Sequence, residues 1–344
     1  MTVSRPKSEA GWLRSARWDG LFLLAPLALS GLLAPLFPGG SSGGLPAWLL
    51  FVVCIDVAHV WSTLWRTCFD PIERERRAAL LWTLPLAVLL AALSMATLSP
   101  ARFWTILAYI AIFHFVRQQL GFAMLYRARA GLPGRDVGAR VERAAIQAVC
   151  ALAVLVWHID GRPFDWFVAG DFLGPLPRWV LAPAGAITAA LVATHILLRA
   201  RSGRANRGGD LWFVATAINW WGGIVLARSD LGFTLANVVG HGVPYLALVW
   251  LGARPHVGRP GGAPALAGPW ALGIFAAVPL VLAFAEELTW DLAVWQEHLP
   301  AVDVPDGLAP IATAILVVPQ LTHYLLDGVI WKLDAPLRAR LGFG

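Results

Sequence analysis

Apolar positions in this chain run together in long blocks. Ten of these, near 20–37, 45–65, 78–97, 102–125, 144–159, 178–198, 211–227, 231–252, 269–286 and 307–331, alternate with short segments that gather most of the charge. Blocks of this length match a hydrocarbon core of ~30 Å, which a helix crosses in about 20 residues. They are continuously apolar rather than alternating, which speaks against a β-barrel. The pattern predicts an all-α fold: a polytopic integral membrane bundle of about ten helices, forming a single transmembrane domain over 1–344. The first block follows Arg5, Lys7, Arg14 and Arg17 and has no small-residue cleavage site after it, so it is expected to be a retained signal-anchor.

The basic residues between the blocks test this layout. Counted over successive segments outside the blocks, Lys and Arg fall 22 on one alternate set and 4 on the other, with Arg117 inside a block. Positive charge accumulates on the cytoplasmic side of membrane proteins, so both termini are expected in the cytoplasm, and the compartment is expected to be a bacterial inner membrane. Ten of the 18 Trp residues (Trp18, Trp48, Trp65, Trp104, Trp157, Trp179, Trp212, Trp250, Trp270 and Trp331) fall near block ends, where an interfacial belt accounts for them.

Composition adds little that the pattern lacks. Only 14% of residues are charged, 58% are apolar and mean hydropathy is +0.64, values that exclude a soluble enzyme and a disordered chain. The net charge of +6 belongs to topology, not to a nucleic-acid footprint, and the partners expected are membrane lipids. Cys54, Cys68 and Cys150 imply no disulfide framework. The acidic and aromatic segments at 160–178 and 287–306 are expected as interfacial helices or caps, with Glu286 and Glu287 solvated. His158, His256 and His298 are also expected to be solvated, and His195 is a weak site candidate.

The remaining chemistry is intramembrane. Polar groups inside a bilayer are costly and usually face the bundle interior. Steps of three and four place Asp56, His59, Thr63 and Arg66 on one face of the second block. The fourth block groups His114, Arg117, Gln118 and Gly121. The eighth groups Asn237, His241 and Tyr245, where Gly240, Gly242 and Pro244 permit a kink and the close approach of a neighbour. The tenth groups Gln320, His323 and Asp327. All four helices run from outside to inside, and their histidines lie 14, 12, 10 and 16 residues from the outer ends. At 1.5 Å per residue that is a spread of about 9 Å.

Four imidazoles at one depth, with Asp56 and Asp327 close by, suit iron, zinc or copper. Neutral imidazole is the form that ligates, and the aspartates would orient the rings or join as ligands. A catalytic zinc usually keeps three protein ligands and one open position, so four histidines fit oxygen-activating iron better. The expected metal residues are His59, His114, His241, His323, Asp56 and Asp327. Arg117, Tyr245 and Tyr324 are expected to contact substrate or support the ligands. Arg117 could instead form a buried ion pair with Asp56 or Asp327.

Three rival readings use the same residues: hydrogen bonding between helices, a proton-coupled carrier with a His/Asp/Arg relay, and bis-histidine haem ligation.

The chain has no His-x-x-x-His or His-x-x-His-His box, no His-Glu-x-x-His helix and no Walker loop. One histidine per helix, with Gly240-His241-Gly242, resembles the Brp/Blh-type bacterial carotene dioxygenases, although their fuller motif is missing. That resemblance implies histidines from separate helices around one iron, and it is architectural, centred on His59, His114, His241 and His323. The segments His-Phe-Val-Arg-Gln-Gln from His114 and His-Tyr-Leu-Leu-Asp-Gly-Val-Ile-Trp-Lys from His323 are similar to motifs of an uncharacterised bacterial membrane family. The function expected is a membrane metalloenzyme, oxidative and acting on a lipid-soluble substrate.

Overall fold

The computed structural model describes residues 11–161, 166, 171–174, 176–300, 305 and 307–343. Among them every regular element is helical. Eight helices are long and apolar enough to cross a membrane: α1 (Ala16–Leu36), α2 (Gly44–Arg66), α3 (Ala78–Leu98), α4 (Pro100–Arg129), α6 (Arg178–Arg201), α8 (Asp230–Ala253), α9 (Ala271–Trp295) and α10 (Ala309–Ile330). Two further long helices lie between them in the chain, α5 (Val137–Asp160) and α7 (Arg207–Trp220), the latter continuing through Trp221–Leu226. They occupy the fifth and seventh predicted blocks. Neither is among the eight that are long and apolar enough to span: α5 carries Arg140, Glu142 and Arg143, and α7 carries Arg207 and Asp210.

The chain forms two compact units, where the hydropathy pattern predicts a single domain. One comprises Met1–Ser42 with Tyr109–Pro244, the other Gly43–Ala108 with Tyr245–Gly344.

In the first unit α5 packs along α6, and α7 packs on α1 and α5. Small residues set these distances. A Cβ on Gly31 of α1 would overlap the α7 backbone at Asn219, and one on Gly222 would overlap the Gly31 carbonyl. Asn219 is the tie at this crossing. Its Nδ2 donates to Ser30 Oγ (3.0 Å) and to the Ala236 carbonyl (2.9 Å). At the other end of the unit Arg127 is buried and donates to Glu142 (2.8 Å) and Asp136 (2.7 Å).

In the second unit α9 packs along α2, and α10 along α3. Asp70 caps the short helix Pro71–Arg76 through the amides of Ile72 and Glu73. The same carboxylate accepts from Gly262 N (3.1 Å), Arg66 Nη1 (3.4 Å) and Arg340 Nη1. Burial alone would raise its pKa. The Arg340 hydrogen bond and charge, the Gly262 amide and the Arg66 charge together hold it below the ordinary value of 3.8.

Several expectations need correction here. Trp65, Trp157 and Trp212 are buried, not interfacial. Trp212 stacks on Phe122 at 4.3 Å and donates to the Gln119 carbonyl (3.1 Å), and Trp65 donates to that of Phe275 (3.2 Å). An indole offers a large apolar face with one donor, so it fills a core wherever a carbonyl is in reach.

Glu286 and Glu287 are buried as well. Helix α9 does not stop at residue 286 but runs on through Leu288, Trp290 and Leu292 to Trp295, and Trp61 Nε1 donates to Glu286 Oε2 (2.6 Å). His298 is held by Asp291 (3.1 Å) and stacks on Trp48, while His158 bonds Tyr109 Oη (2.9 Å). His195 is buried and stacks on Phe213. Residues 162–165, 167–170 and 175 of the expected cap at 160–178, and residues 301–304 and 306 of the other, lie outside the described residues.

Candidate metal centre

Each unit carries two of the four histidines. In the second unit His59 lies on α2 and His323 on α10. Both are 1% exposed, and their rings meet edge-on with centroids 5.0 Å apart. The face predicted for α2 is buried throughout: Asp56, His59, Thr63 and Arg66 are each less than 9% exposed. Here the helix changes winding. Trp48–Val57 makes wide π turns, and the helix tightens at Ala58–Ser62 and again at Thr63–Arg66. Such irregular winding is common at functional sites because it re-aims side chains.

A chain of side-chain hydrogen bonds surrounds His323. Its Nδ1 is 2.8 Å from Thr63 Oγ1, which is 3.0 Å from Tyr245 Oη. Tyr245 donates to Asp327 Oδ1 (2.6 Å), and Trp331 Nε1 donates to Tyr245 Oη (3.5 Å). Trp331 in turn lies against the Arg66 guanidinium, 5.3 Å from ring centroid to Cζ. The second expected tyrosine, Tyr324, accepts from Gln320 Nε2 (2.7 Å).

In the first unit His114 lies on α4 and His241 on α8. Both are buried, and their rings are also edge-on, 5.1 Å apart. Phe115 packs on the His241 ring at 4.4 Å. Gln118, one turn beyond His114, donates to the His241 carbonyl (2.9 Å). Asn219 reaches Gly240 from α7, and a Cβ at Gly240 would overlap its carboxamide. The expected close approach of a neighbour is therefore present, and Asn219 makes it. Asn237, placed on the His241 face by periodicity, bonds instead to the Phe233 carbonyl of its own helix (2.8 Å).

Each of the four imidazoles offers one ligand atom, and these atoms all lie within 4.8 Å of one another. The group is buried and could bind a metal ion. Imidazole nitrogens ligate transition metals at about 2.0–2.1 Å, so atoms ringed around one ion stand at most about twice that distance apart.

Asp56 and Asp327 lie beside the rings. Asp56 Oδ1 is 3.6 Å from His59 Nδ1, and Asp327 Oδ2 is 3.7 Å from His323 Nε2. Both separations exceed hydrogen-bond length.

Arg117 corrects an expectation. It is exposed, as is Gly121, while His114 and Gln118 on the same helix are buried. Steps of three and of four lie on opposite sides of a helical stripe, about 60° one way and 40° the other. The neighbours of α4 cover the side reached by steps of four.

Sequence reasoning missed the part played by Thr63. It named the residue on the α2 face without giving it a role, and only its contacts with Tyr245 and His323 reveal one. Compared with models of protein families, with curated proteins and with solved structures, the chain matches none.

Proposed function

We propose that this chain is an intramembrane metalloenzyme in which His59, His114, His241 and His323 hold a non-haem iron and which acts oxidatively on a lipid-soluble substrate. The observation that carries the reading is the convergence of four buried imidazole nitrogens within 4.8 Å. The four imidazoles would hold the ion as neutral ligands, and the bound ion would supply redox and Lewis-acid chemistry. A site walled by apolar helices favours a substrate that partitions into lipid. Arg117, being exposed, has no part in holding the ion.

In the same proposal the protein sits in a bacterial inner membrane. It spans it ten times, with α5 and α7 joining the other eight helices, and keeps both termini in the cytoplasm. The 22-to-4 partition of basic residues supports that topology.

The test is metal analysis of the purified full-length protein, wild type against His114→Ala and His323→Ala. Stoichiometric iron in the wild type and its loss from both variants is the expected result. A wild type prepared with iron present throughout that carries no metal overturns the reading. So does a Soret band, which would mark haem.

A further inference from the structure

We propose that Tyr245 and Thr63 are positioning residues that fix the tautomer of His323, with the proton on Nδ1 and the lone pair of Nε2 presented for ligation. This rests on the metal reading above for its purpose, but its evidence is the direction of each hydrogen bond in one buried chain.

The directions follow by counting protons. Tyr245 Oη donates to Asp327 Oδ1 at 2.6 Å, so its single phenolic proton points at Asp327. Tyr245 Oη is then an acceptor toward its other neighbours. Trp331 Nε1, which can only donate, agrees with that at 3.5 Å. The Thr63 hydroxyl, 3.0 Å from Tyr245 Oη, must supply its own single proton there. Thr63 Oγ1 is left as the acceptor toward His323 Nδ1 at 2.8 Å, so Nδ1 carries a hydrogen. In a neutral ring Nε2 is then the bare nitrogen.

The opposite tautomer would have Thr63 donate to Nδ1. Thr63 Oγ1 and Tyr245 Oη would then face each other at 3.0 Å with no proton between them. Thr63 and Tyr245 are 5% and 1% exposed, so the mismatch would be buried, where an unsatisfied polar contact is costly. Asp327 therefore acts on the ring at two removes, through Tyr245 and Thr63. Its nearer approach, Oδ2 to Nε2 at 3.7 Å, is too long to bond.

The test reads the tautomer directly. Full-length protein labelled with 15N-histidine is reconstituted in phosphatidylcholine vesicles without metal, and the His323 resonance is assigned by its loss in His323→Gln. Nitrogen shifts should show Nδ1 protonated and Nε2 bare. Tyr245→Phe keeps the ring but removes the acceptor. Thr63 is then released to donate to Nδ1, and His323 should move to the Nε2-protonated form. Thr63→Val should lose the preference, and Thr63→Ser should keep it.

In a parallel titration with cobalt(II), Tyr245→Phe and Thr63→Val should bind about 10–100-fold more weakly than wild type, the usual cost of losing a partner that orients a ligating histidine. Thr63→Ser should stay near wild type. A wild-type His323 protonated on Nε2, or an unchanged tautomer in Tyr245→Phe, overturns the assignment. A wild type that shows the expected tautomer but binds no cobalt overturns the metal reading and leaves the assignment standing.

Discussion

The two histidine pairs have nearly the same internal geometry, edge-on rings 5.0 and 5.1 Å apart, yet they are held by different means. His323 is addressed at its ring nitrogen by a side-chain hydroxyl, and that hydroxyl belongs to a buried network reaching Tyr245, Asp327 and Trp331. His241 is secured through its backbone carbonyl by Gln118, through its ring face by Phe115 and through the preceding glycine by Asn219. The contrast separates two tasks. Bracing the backbone fixes where an imidazole sits. Bonding to a ring nitrogen also fixes which nitrogen carries the proton.

The strongest way to break the comparison is to remove what lies beneath the His59/His323 pair. Trp331 contacts both Tyr245 and Arg66, and Arg66 shares the Asp70 carboxylate with Arg340. Asp70→Ala leaves two buried guanidinium groups without their anion, and breaking a buried ion pair from one side typically costs about 3–5 kcal/mol. Thermal unfolding in detergent micelles should show a loss of that order. A variant within 1 kcal/mol of wild type, an order-of-magnitude threshold for an exposed pair, would deny the cluster its structural role.

A smaller effect is expected from Gln118→Leu, which removes a buried bond to a backbone carbonyl. The stability cost should be about 1–2 kcal/mol. Because no ring nitrogen is involved, cobalt(II) affinity should fall by less than the roughly tenfold lower bound for loss of a ring-orienting partner. If Gln118→Leu weakened cobalt binding as much as Thr63→Val, the distinction between the two pairs would collapse.

The smallest effect is in acid. The pKa of Asp70 is depressed in the folded protein below the ordinary 3.8. A carboxyl of this kind contributes stability that is fully present above its unfolded pKa and is lost as pH falls through the lower folded value. Wild type should therefore lose stability below about pH 4, and Asp70→Asn should flatten that limb of a stability-against-pH curve. Equal acid limbs in the two proteins would refute the assignment.

The chain's pattern makes much of this legible and some of it not. Long apolar blocks punctuated by arginines predict helices at all ten observed positions. Four histidines at one depth on four such blocks predict the cluster, because polar groups inside a bilayer usually face the bundle interior. The buried face of α2 was equally readable from steps of three and four. Arg117 was not, because periodicity gives a stripe but not which side of the stripe the neighbours cover. Glu286 and Glu287 were misplaced for a related reason. Their carboxylates look like the end of an apolar run until Trp61, 225 positions earlier, supplies a donor to Glu286.

The sequence by itself determined the helical class, the order of the helices and the four histidines as a group, since hydrophobic length and the cost of buried polar atoms are local properties of the chain. Only the tertiary structure decided what surrounds each ring. Thr63 and His323 are 260 positions apart, and Thr63 and Tyr245 are 182 apart. Hydrogen-bond direction depends on which donors and acceptors meet within about 3 Å, and periodicity along a helix carries no information about that.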